Sequence, residues 1–370
     1  MKRLFAWINN SIFGINIVAA VLLAITYLAP LVPAHKFWLI AAWGLSFPVM
    51  VAINIGFFIF WLFRRKLQAF LSAVVLTLGF NLLQNTLALN INPKVDTEGL
   101  QKIKVLSYNV QNFKLYNWRR DPEPRNKIAR LIRQESPDII CFQDFYSEKG
   151  GNFENVAYFE QEGYPHSYFV NTLTTKNKNE WGLAIFSKLP ITNKGQFLFE
   201  NSKTNAATWV DVAIDDQNTV RVFNMHLQSF SLADRELEFI QDIATPKENN
   251  TKANTKTVEN IVGKLKDAYI KRGSQAQTVA AAIAQSPHRA IVCGDFNDTP
   301  TSFTYKTIRG NTLKDAFLEA GLGLGGTYAG PLPYLRIDYV LTSSTIKTGR
   351  FIVLPYKNSD HYAVAAELYF

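Results

Sequence analysis

The chain has 370 residues, 48% of them hydrophobic and 19% charged, enough for one large core plus a second unit. The first 92 residues hold six of the 39 Lys and Arg and none of the 30 Asp and Glu, so the remainder carries 33 basic against 30 acidic residues, a net of +3. That balance excludes a strong long-range pull on nucleic acid, and two cysteines in apolar runs, Cys141 and Cys293, exclude a disulfide framework.

Taken in chain order, residues 12–29, 37–63 and 67–91 are uncharged and mostly apolar. About 20 such residues cross a bilayer as a helix. The pattern predicts three transmembrane helices near 8–29, 37–62 and 67–90, with Trp7, Trp38 and Trp61 near their ends. Asn16, Asn54, Asn81, Gln84 and Asn85 are expected to face other helices and not lipid. A secretory signal peptide does not fit the first segment, whose apolar core is too long and is followed by two further spans. Lys2 and Arg3 precede the first span, and Arg64, Arg65 and Lys66 fill the second loop. The positive-inside rule therefore places the N-terminus and that loop in the cytoplasm of a bacterial-type inner membrane, and everything after residue 92 outside it.

Residues 93–101 read as a short polar linker. Residues 103–110 then read as a strand, with Ser107 and Asn109 on one face. A helix is expected over 122–135, stopped by Pro137, and a second strand over 138–143, ending at Asp144. Strand, helix and strand ending in a carboxylate suit ligand binding at strand ends. Residues 146–179 read as loop-rich, followed by a strand at 182–187. A hairpin is expected for 208–214 and 219–227, with Asn224 and His226 sharing one face. Residues 231–284 read as largely helical, interrupted by a polar segment at 246–257.

The stretch 291–300, IVCGDFNDTP, carries the most chemistry. An apolar strand leads to Gly294, then to Asp295 and Asn297 at a spacing that puts both on one face of extended chain. Asp298, Thr299 and Pro300 read as the opening of a helix. Residues 321–330 are glycine-rich and read as flexible loop. Residues 335–340 read as a strand with Arg336 and Asp338 on one face, and the last strands, 352–354 and 363–370, flank Ser359, Asp360 and His361. Alternating faces favour two mixed sheets packed together with helices outside.

In this order and spacing, Asn109, Gln143-Asp144, Asn224 with His226, the GDFN of 294–297, the RIDY of 336–339 and the SDH of 359–361 resemble the endonuclease/exonuclease/phosphatase superfamily. That superfamily includes pancreatic-type DNases, abasic-site endonucleases, inositol polyphosphate phosphatases and bacterial sphingomyelinases. The resemblance covers residues 102–370 and implies an α/β fold, a four-layer α/β/β/α sandwich of two mixed sheets, here preceded by the three transmembrane helices. The expected division is a membrane anchor at 1–92, a linker at 93–101 and a catalytic domain at 102–370.

The resemblance also implies roles. Asn109 would support the metal and the phosphate, Asp144 would ligate the metal, and Asp360 would lie near it through water. His226 would donate to the phosphoryl oxygens. Asp295 would position or activate the attacking water, and Asn297 would hold a phosphate oxygen or orient that water. Asp338 would hold the imidazole of His361, which acts at the reacting phosphate. The cofactor implied is Mg²⁺, with Mn²⁺ as the alternative, because hard cations take Asp and Asn oxygens. One departure stands out: the family has Glu after the Gln, whereas Asp144 follows Gln143 here. The expected activity is hydrolysis of a phosphate ester, foremost a phosphodiester of a lipid head group or other small phosphoester. A nuclease using Trp118, Arg119, Arg120, Arg125 and the KNKN of 176–179 is the alternative, and an inactive binding or scaffold module is the reading from another class.

Overall fold

The computed structural model describes residues 2–370 except 92–94, 118–120, 176–177, 201, 203, 231–254, 331 and 333. The N-terminal part is helical: α1 (Lys2–Thr26), α2 (Ala34–Trp43), α3 (Phe47–Phe63), α4 (Ala69–Leu78) and α5 (Phe80–Thr86). Two helical stretches, Arg3–Thr26 and Ala34–Phe63, are long and apolar enough to cross a membrane. The third expected span is broken. α4 and α5 meet at a 61° bend, and the chain leaves helix after Thr86 for the short strand β1 (Ala88–Leu89). The bend falls at Gly79, where a Cβ would run into the ring of Tyr27.

Polar residues hold these helices together. Asn16 donates to Ser72 and accepts from the Trp61 indole, and Asn54 donates to the carbonyl of Ala19. Trp61 is fully buried among these helices. Asn81 and Gln84 are exposed, against expectation. Asn85 binds outward, to Arg309 and Arg336 of the following domain.

The rest of the chain forms two mixed six-stranded sheets flanked by helices. In chain order its elements are β2 (Lys102–Asn109), α6 (Glu123–Glu135), β3 (Ile139–Glu148), α7 (Asn155–Gln161), β4 (His166–Thr174), β5 (Asn179–Ser187), β6 (Ile191–Leu198), β7 (Ala206–Ala213) and β8 (Thr219–His226). There follow α8 (Thr255–Ala284), β9 (Arg289–Asp295), α9 (Phe303–Arg309), β10 (Leu313–Asp315), α10 (Ala316–Ala320), β11 (Leu322–Gly323), β12 (Asp338–Ser343), β13 (Lys347–Leu354) and β14 (Ala363–Tyr369). One sheet runs β10-β12-β9-β8-β7-β6, the other β13-β14-β2-β3-β5-β4. Only β2–β3 and β8–β9 are parallel pairs among the described strands.

The sheets pack face to face over Val105, Ile139, Cys141 and Ile185 on one side and Val210, Val222, Ile291, Cys293 and Val340 on the other. α6 and α7 close the outer face of the second sheet around an aromatic cluster of Phe113, Phe142, Phe145 and Phe159. α8 and α9 close the outer face of the first. With both faces of each sheet covered, the strands carry the apolar runs seen in the sequence. Both cysteines are buried and free.

Two long strands, β4 and β6, went unread in the sequence, as did the short β1, β10 and β11; β4 and β6 are each the edge of a six-stranded sheet. Edge strands are half-solvated and carry polar residues, so HSYFVNTLT and ITNKGQFL resemble loop. The helix expected to open at Asp298 begins instead after Ser302, whose hydroxyl caps the amide of Tyr305. Residues 231–254, and with them most of the polar segment 246–257, lie outside the described residues, as do Trp118, Arg119 and Arg120.

Candidate active site

Strand register brings three of the expected residues to one level. His226 at the end of β8 pairs with Asp295 at the end of β9, which pairs with Asp338 at the start of β12. Adjacent strands at equal register put side chains on one face side by side. This level depends on Gly294. It has a φ of 144°, and a Cβ there would overlap the carbonyl oxygen of Met225 on β8.

The facing sheet supplies the other half. Asn109, at the end of β2, donates to Asp295 Oδ2 across the gap at 3.0 Å. Behind it, Gln143 donates to Ser107 and to Asn224 Oδ1, and Asn224 donates to the carbonyls of Phe142 and Ala184. This polar network joins the sheets beneath the site, so Asn224 belongs to its foundation. Asp144 sits in a bulge of β3, where one extra residue separates the pairs Phe142–Ala184 and Phe145–Gly182. Its φ of 46° is a left-handed conformation that Asp tolerates. The bulge delivers the carboxylate to 3.2 Å from His226 Nδ1, although Asp is one methylene shorter than Glu. The pair is close but off the line of a straight hydrogen bond.

His361 lies between β13 and β14. Its Nδ1 is 3.1 and 2.9 Å from the two oxygens of Asp338, and its Nε2 is 3.6 Å from Asp295 Oδ2. His226 Nε2 is also 3.6 Å from that oxygen, so one carboxylate stands between two imidazoles. Asn297, at a φ of 52°, turns back. Its amide and side chain donate to Asp295, and its side chain also reaches the carbonyl of Leu227. Ser359 ties the last segment in by donating to the carbonyl of Asn109 and to Asp360.

Burial and charge set the protonation states. Burial lifts the Asp295 carboxyl to about 6, with Asp338 also raising it and His361 and His226 opposing. Burial disfavours a charged His361, but Asp338 and Asp295 outweigh it and carry the imidazole to about 10. For His226 the same contest, won by Asp144 and then Asp295, ends at about 9. Burial would raise Asp144, yet the His226 charge brings it below the ordinary carboxylate range.

The donor set suits a hard divalent cation. Asp295, Asp338 and His361 offer ligand atoms within 4.8 Å of one another. Asn109 bonds Asp295, with Asp144 and its 28%-exposed side chain beside it. Several carboxylates converging on two histidines leave negative charge for a cation to balance.

The part played by 321–330 has no signature in the sequence. That glycine-rich loop wraps the site: Tyr328 bridges to His361 with ring centroids 5.7 Å apart, and Thr327 Oγ1 accepts from the amides of Ile337 and Asp338. A lone Thr-Tyr pair among glycines carries no periodic signal, and only the fold brings it here. Arg336 is also placed otherwise than expected. β12 starts at Asp338, and Arg336 turns away to Asp315 and Asn85.

The family model described as the endonuclease/exonuclease/phosphatase family matches residues 106–361, and a domain of unknown function matches residues 9–86. No curated protein matches. Among solved structures, an endonuclease/exonuclease/phosphatase family protein from Bacteroides thetaiotaomicron is 18% identical with a TM-score of 0.52, over 73% of this chain and 98% of that one. An endonuclease/exonuclease/phosphatase from Beutenbergia cavernae is 18% identical at 0.51, over 72% and 71%. The human Nocturnin catalytic domain with bound sulfate is 16% identical at 0.50, over 75% and 98%. Those likenesses speak for the fold, while the family model spans more than half the chain and reaches from β2 to His361: the chain belongs to the endonuclease/exonuclease/phosphatase family.

Proposed function

We propose that this chain is a membrane-anchored, divalent-metal-dependent hydrolase of phosphate esters, foremost a phosphodiesterase acting on a lipid head group or other small phosphoester outside the cytoplasm. The observation that carries the reading is the buried Asp295 carboxylate held between His226 and His361, each 3.6 Å away. With a pKa of about 6, Asp295 takes a proton from water near neutral pH. Asp338 fixes Nδ1 of His361 and leaves Nε2 to donate toward the phosphoryl oxygens, with His226 beside it. Asn297 braces the turn that aims Asp295. We assign Asn109, Asp144 and Asp360 as the oxygen set for Mg²⁺, because both oxygens of Asp338 are engaged by His361. When bound, the ion offsets the negative charge that makes a phosphodiester resist attack.

The anchor is assigned to residues 1–92, the linker to 93–101 and the catalytic domain to 102–370. What supports three crossings is that Ala69–Leu78 and Phe80–Thr86, taken as one bent pair, are long and apolar enough for a third. The Tyr27 hydroxyl, just past α1, donates to the Val75 carbonyl near the end of α4. Arg64, Arg65 and Lys66 lie at the far end of α3. The bent α5 then rests on the catalytic domain through Asn85.

The test is a panel of phosphomonoesters, phosphodiesters, phospholipids and DNA, offered to the full chain in detergent with Mg²⁺, Mn²⁺ or Ca²⁺ and with a chelator. Hydrolysis of small or lipid phosphodiesters that stops with chelator is expected. Cleavage of DNA alone, falling steeply with salt, would make the nuclease reading correct. No turnover with any metal would leave a binding module.

A further inference from the structure

A cavity of about 290 Å³ lies where the helical part meets the sheet domain. Leu45, Val49 and Ala52 of the second apolar stretch form one wall, and Pro300, Leu324 and Leu335 the other. Most polar atoms at its edge are turned to other partners, Arg336 Nε excepted. Thr301 Oγ1 donates to the Gly44 carbonyl, and both Nη atoms of Arg336 bind Asp315 and the Asn85 carbonyl. What faces the cavity is therefore mostly carbon. Its volume lies just below the roughly 300–1,000 Å³ of small-molecule pockets, which suits part of one hydrocarbon chain and not a whole lipid.

Position narrows the occupant. One wall belongs to a helical stretch long and apolar enough to cross a bilayer, so the cavity lies where that stretch meets the sheet domain. The cavity is also next to the chemistry. Thr299 and Arg336 line it, two residues from Asn297 and Asp338, and two residues of chain reach at most about 7 Å.

We propose that this cavity seats one acyl chain of the substrate, which makes the substrate a membrane lipid whose phosphate ester reaches Asp295 while its tail stays against the second span. The proposal rests on the phosphoesterase reading above and adds the chain to the head group.

The test uses the full chain in detergent micelles with Mg²⁺. The substrates are dioleoyl phosphatidylethanolamine, phosphatidylglycerol and phosphatidylinositol, beside water-soluble bis(p-nitrophenyl) phosphate. Val49→Trp and Ala52→Leu fill the cavity, and hydrolysis of the soluble ester reports that each variant folds. Each is expected to lower kcat/KM for the long-chain lipid through KM by about tenfold, the loss of roughly two buried methylenes, and to leave the soluble ester unchanged. In His361→Ala protein, a phospholipid with a diazirine in its tail should label peptides holding Val49 or Leu324. Equal loss on both substrates, no loss on either, or no labelling of those peptides overturns the proposal. Labelling without hydrolysis of any phospholipid marks a structural lipid and also overturns it. If only the soluble ester is hydrolysed, the acyl seat falls and the phosphoesterase reading stands. If nothing is hydrolysed with any divalent metal, that reading falls first.

Discussion

His361 turns Nδ1 onto both oxygens of Asp338, at 3.1 and 2.9 Å, and so leaves Nε2 facing Asp295. The carboxylate selects the tautomer and favours the charged ring. Asp338→Asn keeps the shape but loses the charge and can present a donor to Nδ1. Phosphodiester turnover is expected to drop by more than about 100-fold with the circular dichroism spectrum unchanged, the scale of losing one preorganised donor. A rate near wild type would remove the pair from the mechanism.

The two imidazoles and the carboxylate between them act as one unit. His226→Ala, His361→Ala and Asp295→Ala should each cost more than about 100-fold in rate, and His226→Ala with His361→Ala should cost less than the product of the two. Steady-state kinetics on the three single variants and the double variant settle this. Independent, multiplicative losses would mean that the groups do not share one transition state.

Metal dependence separates the two oxygen sets. Asp144→Ala should raise the Mg²⁺ concentration for half-maximal rate by about 10- to 100-fold, the size expected for weakening a metal site. Asp338→Asn should lower the maximal rate with little change in that concentration. A metal titration of both variants decides the point, and the reverse pattern would place the ion on Asp295, Asp338 and His361 instead.

In chelator, stability should fall at high pH. The folded imidazoles titrate at about 9 for His226 and about 10 for His361, above their ordinary value of 6.5. Their ion pairs contribute fully below pH 6.5 and are lost as pH rises through 9 and 10. Urea midpoints of the metal-free protein should thus decline between pH 7 and 10.5. His361→Gln should flatten that decline, and an equal slope in both proteins would show that the imidazole is not the source.

Arg336 joins the N-terminal helices to the sheet domain from a buried position, 2.6 Å from Asp315 and 2.7 Å from the Asn85 carbonyl. Arg336→Met strands the buried Asp315 carboxylate and should destabilise by about 3–5 kcal/mol. Adding Asp315→Asn should recover part of that loss. Thermal unfolding of the single and double variants measures it. A loss below about 1 kcal/mol would show the pair to be dispensable.

Much of this protein is legible in its residues because some patterns are local. Uncharged runs of about 18 to 27 residues, apolar strands ending in Asp295 and His226, and the SDH of 359–361 follow from hydropathy and spacing alone, whereas β3 does not end at Asp144 as expected but runs on to Glu148. Edge strands β4 and β6 were not legible, since a half-solvated strand need not look apolar. The place of Tyr328 beside His361 was not legible either, because a glycine-rich loop has no period to read.

Neighbours a few positions away are enough to show the residue types, the strand ends that bear Asn109, His226 and Asp295, and the apolar segments at the start of the chain. Only the tertiary structure decided that Asp295 stands between His226 and His361, that a bulge lets Asp144 reach in, that the third apolar segment bends at Gly79, and that Arg336 faces Asn85. Those facts are set by register and packing between segments far apart in the chain, and no local pattern encodes a distance across a core.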